Sequence, residues 1–240
     1  MTETSRTVLV SGASAGIGRA ICLRLLEEGH RVIGVARDFG KFAWNGEGFL
    51  PVEIDLADLE ALPQRLKDLS RQHSGIDAVV CNAGRGQFGS LEEFSYQQIR
   101  SLVDLNFTSQ AYLVRALLPG MKERGRGDVV FIGSEAALSG GRRGAVYSAS
   151  KSALRAFARS LRQESSRSGI RVCVVNPGMV RTGFFTNLPF APGDEKDNAL
   201  LPEEIARLVS FVLHSRGETV FDEINLSPLR KVLRFKDEKE

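Results

Sequence analysis

Thr7-Val8-Leu9-Val10-Ser11-Gly12-Ala13-Ser14-Ala15-Gly16-Ile17-Gly18 is the stretch on which the reading of this chain turns. Its opening residues form a short apolar run of the kind buried on both faces of a sheet. Glycines follow at 12, 16 and 18, spaced G-x-x-x-G-x-G rather than the commoner G-x-G-x-x-G. From Ile17 the apolar spacing becomes helical. Glycine in such a turn lets the backbone bend tightly and approach a pyrophosphate, whose charge then lies at the helix N-terminus. A glycine trio before a helix also serves as a plain turn. Its place at the first strand–helix junction of an alternating chain is what gives it weight.

Outward from that stretch, Val- and Ile-rich runs at 7–10, 31–35, 51–54, 78–81, 129–132 and 172–175 read as strands buried on both faces. Helical patterns at 17–28, 58–72, 95–124, 145–168 and 202–214 separate them, and a last strand is expected near 219–226. This alternation predicts an α/β fold: one doubly wound parallel sheet, Rossmann-like, with helices on both faces. Residues 1–240 read as a single domain. Two stretches break the pattern: a loop at 38–48 carrying Trp44, and a long irregular segment at 181–200, read as a substrate-loop insertion. Residues 231–240 read as a solvated tail of mixed charge.

The 240 residues carry 32 basic and 29 acidic side chains, a balance too even to suggest nucleic acid as a partner. No apolar run approaches the ~18 residues of a membrane span. The N-terminal residues lack the layout of a signal peptide, and a cytoplasmic protein is expected. Cys22, Cys81 and Cys173 sit in apolar runs at no metal-ligand spacing and read as buried thiols. His30, His73 and His214 fall near helix ends and read as terminal or surface residues, so no metal is expected.

The end of the second strand reads Val35-Ala36-Arg37-Asp38. A carboxylate at that strand end would bind a ribose 2′-hydroxyl and repel a 2′-phosphate. Ala36 leaves it uncharged, and Arg37 offers a fork suited to phosphate. Asp38, 20 residues past Gly18, is the competing choice on spacing alone. The chain therefore favours NADP(H) over NAD(H).

In Tyr147-Ser148-Ala149-Ser150-Lys151, the i, i+4 spacing puts phenol and ammonium on one helix face. One positive charge at ~4 Å and an effective dielectric of ~20 favours phenolate by roughly 4 kcal/mol. That would bring a tyrosine down by about three pH units, into working range. Y-x-x-x-K is also an ordinary helix surface. Ser134, at the end of the fifth strand, stands where the following loop can return Tyr147 beside it.

Gly12, Gly16 and Gly18, then Asn82-Ala83-Gly84, Asn106, Ser134, Tyr147 with Lys151, and Pro177-Gly178 occur in one order along the chain. In that order and spacing the chain resembles the short-chain dehydrogenase/reductase family over nearly its whole length. The resemblance implies that Tyr147 donates or accepts the proton and Ser134 positions the substrate oxygen. Lys151 would tune the tyrosine and hold the nicotinamide ribose, and Asn106 would hold a water leading to solvent. It also implies a cofactor set: Gly12, Ser14, Gly16, Ile17 and Gly18 at the glycine turn, with Arg37 at the ribose and Asp55 and Leu56 at the adenine. Asn82, Ala83 and Gly84 would flank the adenosine, and Pro177, Gly178, Val180 and Thr182 the nicotinamide. Ser11, Cys81 and Gly133 depart from the family's usual residues without touching the catalytic set.

The substrate is expected to be a small or medium carbonyl or alcohol. Phe184, Phe185, Leu188 and Phe190 form either an apolar lid or a loop anchor. Arg142 and Arg143 either bind a substrate carboxylate or are solvated. The segment 223–228 resembles small-molecule carbonyl reductases and 3-hydroxy acid dehydrogenases of the family. Relatives usually form homodimers or homotetramers through the fourth and fifth helices. The competing class is a non-catalytic NADP(H)-binding sensor of the same fold.

Overall fold

The computed structural model describes residues 5–40 and 42–236. The chain runs β1 (Thr7–Ser11), α1 (Gly16–Glu27), β2 (Arg31–Ala36), β3 (Phe49–Glu53), α2 (Leu62–Gln72) and β4 (Ala78–Cys81). It continues through α3 (Tyr96–Val103), α4 (Ser109–Glu123), β5 (Gly127–Ile132), α5 (Ala145–Ser165) and β6 (Ile170–Pro177). Then come β7 (Phe190–Pro192), α6 (Pro202–His214), β8 (Glu223–Leu226) and β9 (Leu233–Phe235). Seven strands pair in parallel in the order β3-β2-β1-β4-β5-β6-β8. The order reverses between β1 and β4, which opens a crevice at the C-terminal ends of the strands.

Alternate residues of each central strand face opposite layers. Leu9, Val79, Val129 and Phe131 pack with Leu66 of α2, Leu113 of α4 and Leu154 of α5. Val8, Val10, Val80 and Val130 pack with Ile21 and Leu25 of α1 and Ile205 and Val209 of α6. That is the doubly wound sheet expected from the sequence.

The differences have local causes. β3 is an edge strand, half exposed, where Pro51 costs the sheet no interior hydrogen bond. α2 begins at Leu62 rather than 58, because Pro63 has no amide to donate and suits a first turn. The helix expected over 95–124 is interrupted by a π turn, Asp104–Thr108, between α3 and α4. The last strand starts at Glu223, not 219. Residues 231–236 are no free tail: β9 pairs antiparallel with β7. Positions 237–240 of the expected tail lie outside the described residues.

His30 also differs from expectation, whereas His214 ends α6 as the sequence suggested. His30 is 4% exposed, and its ring stacks on His214 with the two Nε2 atoms 2.8 Å apart. Arg6 N–H donates to His30 Nδ1, which leaves the neutral ring its proton on Nε2, donating to His214. His214 Nδ1 in turn donates to Ser210 O at 2.7 Å. Glu28 lies alongside, accepting from Arg24 and Ser210. The cluster is a hydrogen-bonded seam joining α1 to α6.

All three cysteines are buried and unpaired. Burial pushes the Cys22 and Cys81 thiols well above their ordinary range.

At the glycine turn, Gly12 has φ +65° and a Cβ on Gly18 would lie 2.2 Å from Gly12 O. Gly18→Ala must therefore push α1 off β1, an overpacking cost of about 1–3 kcal/mol. The expected drop in Tm is on the order of 5 °C, read by circular dichroism. Gly75→Ala, where nothing lies within 4 Å of the added carbon, should leave Tm almost unchanged.

Candidate active site

A cleft of about 1470 Å³ follows the C-terminal edge of the sheet, from the β1–α1 turn to the segment after β6. Gly12, Ser14, Gly16 and Ile17 form its floor at one end. No side chain caps the N-terminus of α1, so its first amides remain available to an anion in the cleft. Arg37 lines the cleft at the end of β2. Asp38 turns away, accepting a hydrogen bond from Gly40 N at 2.8 Å. Of the two residues between which spacing left the choice open, Arg37 lines the cleft and Asp38 does not. Asp55, Leu56, Asn82, Ala83 and Gly84 continue the wall, and Pro177, Gly178, Val180 and Thr182 close the other side. A dinucleotide fits this donor set: uncapped helix amides for a pyrophosphate, and a guanidinium where a 2′-phosphate would lie. Gly18 stays behind the wall, where it permits the close approach of helix and strand.

Ser134, Tyr147 and Lys151 meet at the far end of the cleft. Ser134 is the N-cap of a short 3-10 turn, Glu135–Ala137, and its hydroxyl accepts from Ala136 N at 3.1 Å. Its proton is left to donate toward the phenol or a substrate oxygen. Asn106 does not line the cleft. It lies fully buried in the π turn, where Oδ1 accepts from Arg85 N and Nδ2 donates to Arg85 O and Ser150 Oγ. The widened turn aims this amide at the loop after β4 and braces it against α5.

A family model described as short chain dehydrogenase matches residues 6–191. The chain belongs to the short-chain dehydrogenase family. It is 32% identical over 234 residues to the NADP-dependent 3-hydroxy acid dehydrogenase YdfG of Salmonella typhi, covering 92% of this chain and 94% of that protein. An uncharacterized oxidoreductase of Myxococcus xanthus is 37% identical over 192 residues, 76% of this chain and 75% of the relative. An alcohol dehydrogenase from Thermococcus sibiricus, solved with 5-hydroxy-NADP, superposes with TM-score 0.84 at 27% identity over 94% of this chain and 97% of that one. The NADP+ complex of a serine dehydrogenase gives 0.80 at 27%, over 91% and 93% of the two chains.

In this short-chain dehydrogenase, burial governs both ionisable groups, Tyr147 and Lys151. The Tyr147 phenol is pushed up to about 12 by desolvation, with Ser134 pulling it down in part and Glu135 adding to the rise. Desolvation also lowers the Lys151 ammonium to about 8. Lys151 Nζ donates to Ile132 O at 3.0 Å. In the protein's own field the lysine does not bring the phenol down by three pH units. Two charges taken from water together are each disfavoured more than their attraction restores.

Three residues of the site were not singled out from the sequence. Asn176 occupies the space beside Gly133: a Cβ there would lie 2.1 Å from its Oδ1. That oxygen accepts from Ser134 N, while Nδ2 donates to Glu223 and Asn225. Phe88 lies tilted against Tyr147, with 5.0 Å between ring centroids. Lys231 arrives from the C-terminal segment. The phenylalanine alternatives divide. Phe185 and Leu188 are buried with Met179 as anchors, whereas Phe184 is 36% exposed and faces Tyr147 at 6.1 Å. Arg143 is committed elsewhere, with left-handed backbone (φ 58°) and two 3.0 Å bonds to Glu93. Arg142 borders the cleft and has no ion pair or hydrogen bond among the described residues.

The buried ammonium predicts a pH-dependent stability. Lys151 binds its proton less tightly folded than unfolded, so it destabilises the fold below about pH 8. That cost fades as pH rises toward the ordinary lysine value near 10.4. Lys151→Met should raise Tm by several degrees at pH 7, and the gain should shrink by pH 10. A gain independent of pH, in melts at both values, would reject the charge-burial account.

Proposed function

We propose that this oxidoreductase transfers hydride between NADP(H) and a small carbonyl or alcohol substrate, with Tyr147 as the general acid and base. The observation that carries the reading is the convergence of Ser134, Tyr147 and Lys151 at one end of a cleft whose other end presents uncapped helix amides and Arg37. Bound NADPH would supply the hydride from C4 of its nicotinamide. Tyr147 gives its proton to the carbonyl oxygen during reduction and takes it back during oxidation. Ser134 donates a hydrogen bond to the same oxygen, and the ring of Phe88 keeps water from the phenol. Lys151 holds the nicotinamide ribose, and Asn106 keeps the loop after β4 in place.

Arg142, bordering the cleft without a partner, would bind a substrate carboxylate, and Phe184 would cover the carbon chain. A 3-hydroxy acid or its keto counterpart has both features. The name of the Salmonella relative is consistent with that choice. We further read the protein as a cytoplasmic homodimer or homotetramer paired through α4 and α5. Among the described residues no helix is long and apolar enough to cross a membrane.

The test is NADPH oxidation at 340 nm across β-keto acids, semialdehydes, diketones, aromatic ketones and quinones. Tyr147→Phe should lose at least ~100-fold in turnover, the least expected for a missing general acid. Near-normal turnover in that variant would reject the mechanism. Arg37→Ala should weaken NADPH binding by about 10-fold or more, the scale of a lost charge-assisted hydrogen bond, and leave NADH nearly untouched. Equal losses for both nucleotides by calorimetry would show that Arg37 does not read the 2′-phosphate.

A further inference from the structure

Glu135 follows Ser134 directly, and its carboxylate stands beside the catalytic end of the cleft. Oε2 lies 3.1 Å from where a Cβ on Gly178 would be, so it presses on the proposed nicotinamide wall. From the C-terminal segment, 96 positions later, Lys231 Nζ reaches the same Oε2 at 2.5 Å. The lysine is brought there by its neighbours. Arg230 N–H donates to Asp197 O, Val232 O accepts from Gly193 N–H, and β9 pairs with β7 just beyond. Pro228 packs on the same face of Gly178, its Cδ 3.0 Å from that Cβ position.

We propose that Lys231 is a positioning residue of the active site, pinning and neutralising Glu135 so that its charge does not oppose negative charge on the Tyr147 oxygen. This rests on the reading of Tyr147 as the proton-transfer group. The other cations that line this part of the cleft leave Glu135 without a second ionic partner among the described residues. Lys151 of α5 is bonded to Ile132 O, and Lys236 beyond β9 to Phe185 O and Thr186 O. Arg85 after β4 is bonded to Ser101, Arg143 to Glu93, and Arg142 makes no ion pair among the described residues. Glu135 raises the Tyr147 pKa as it stands, and removing its counter-charge adds to that opposition. Lys231 is 56% exposed and Glu135 31%, so solvent screens the effect. A displacement of about half a pH unit to one pH unit is the scale for such a charge.

The experiment is the pH profile of kcat/KM for oxidation, by NADP+, of the alcohol corresponding to the carbonyl the panel selects. Oxidation needs the phenolate, so activity rises with pH through the tyrosine's ionisation. Lys231→Met should move that rising limb to higher pH by about half a unit or more. Lys231→Arg should keep it in place. The double variant Glu135→Gln with Lys231→Met should return it to the wild-type position or to lower pH, because the carboxylate that opposes the phenolate has gone. An unmoved limb in Lys231→Met, or a displacement that survives in the double variant, overturns the proposal. The same variants labelled with tyrosine carrying 13C at Cζ, and saturated with NADP+, report the Tyr147 line without turnover. Tyr147→Phe both assigns that line and tests the general-acid reading separately. Full activity in Tyr147→Phe sinks that reading, while the 13C displacement still decides whether Lys231 governs the phenol.

Discussion

The hydroxyl of Ser11, at the end of β1, accepts hydrogen bonds from the amides of Asn82 and Ala83 and donates one to Gln110 of α4. Asn82 returns the bond through its own side chain, donating to Ser11 O and Gly12 O. The turns after the two central strands are therefore fastened to each other before either meets a helix. Asn106 then holds Arg85, three residues beyond Asn82, by both faces of its amide. With the loop after β4 fixed this way, the cleft has a rigid wall opposite α5. These hydrogen bonds are themselves buried or part-buried, where an unmade hydrogen bond is costly, so the arrangement has few alternatives.

The two edges of the sheet are built for different ends. At the N-terminal edge, charges are answered in full: Asp128 is paired to Arg6 and Arg171, and Arg171 also caps carbonyls beyond α6. At the C-terminal edge, a phenol and an ammonium are buried with few partners, and each is pushed toward its neutral form. A protein built only for stability would fill that end with apolar side chains. Keeping ionisable groups there makes their proton affinity sensitive to any charge brought close.

Most of this was legible in the sequence, because it rests on regular periodicity and on spacings that a helix or a strand end converts to geometry. The strand at 78–81 and the helix at 202–214 appear with the expected bounds. The glycine turn, Arg37 and the Ser134, Tyr147 and Lys151 group were readable because each lies at a fixed distance from a strand end. Asn176 was hidden because its action is sideways, across the β5–β6 register, into the space left by Gly133. Asn106 was found, but its side-chain bonds to Arg85 and Ser150 were not foreseen, since a π turn leaves no mark in apolar spacing. The lysine–tyrosine balance was misjudged because a sequence gives proximity and not burial. The segment 231–236 looked like solvent-facing tail because its charges are answered only by residues far back in the chain.

The β7–β9 ladder makes one wall of the cleft a detachable part. Every strand of the main sheet is complete by Leu226, and the segment that follows is held to the cleft by three-residue pairing, single backbone bonds at Arg230, Val232 and Lys236, and a few side-chain bonds. A protease cutting between Pro228 and Leu233 would leave the sheet, the glycine turn and the Ser134, Tyr147 and Lys151 group intact, and free the wall to leave. Such a nicked protein would still melt cooperatively and bind nucleotide, and would pass as native by either criterion. Preparations of this enzyme are better judged by intact mass than by fold.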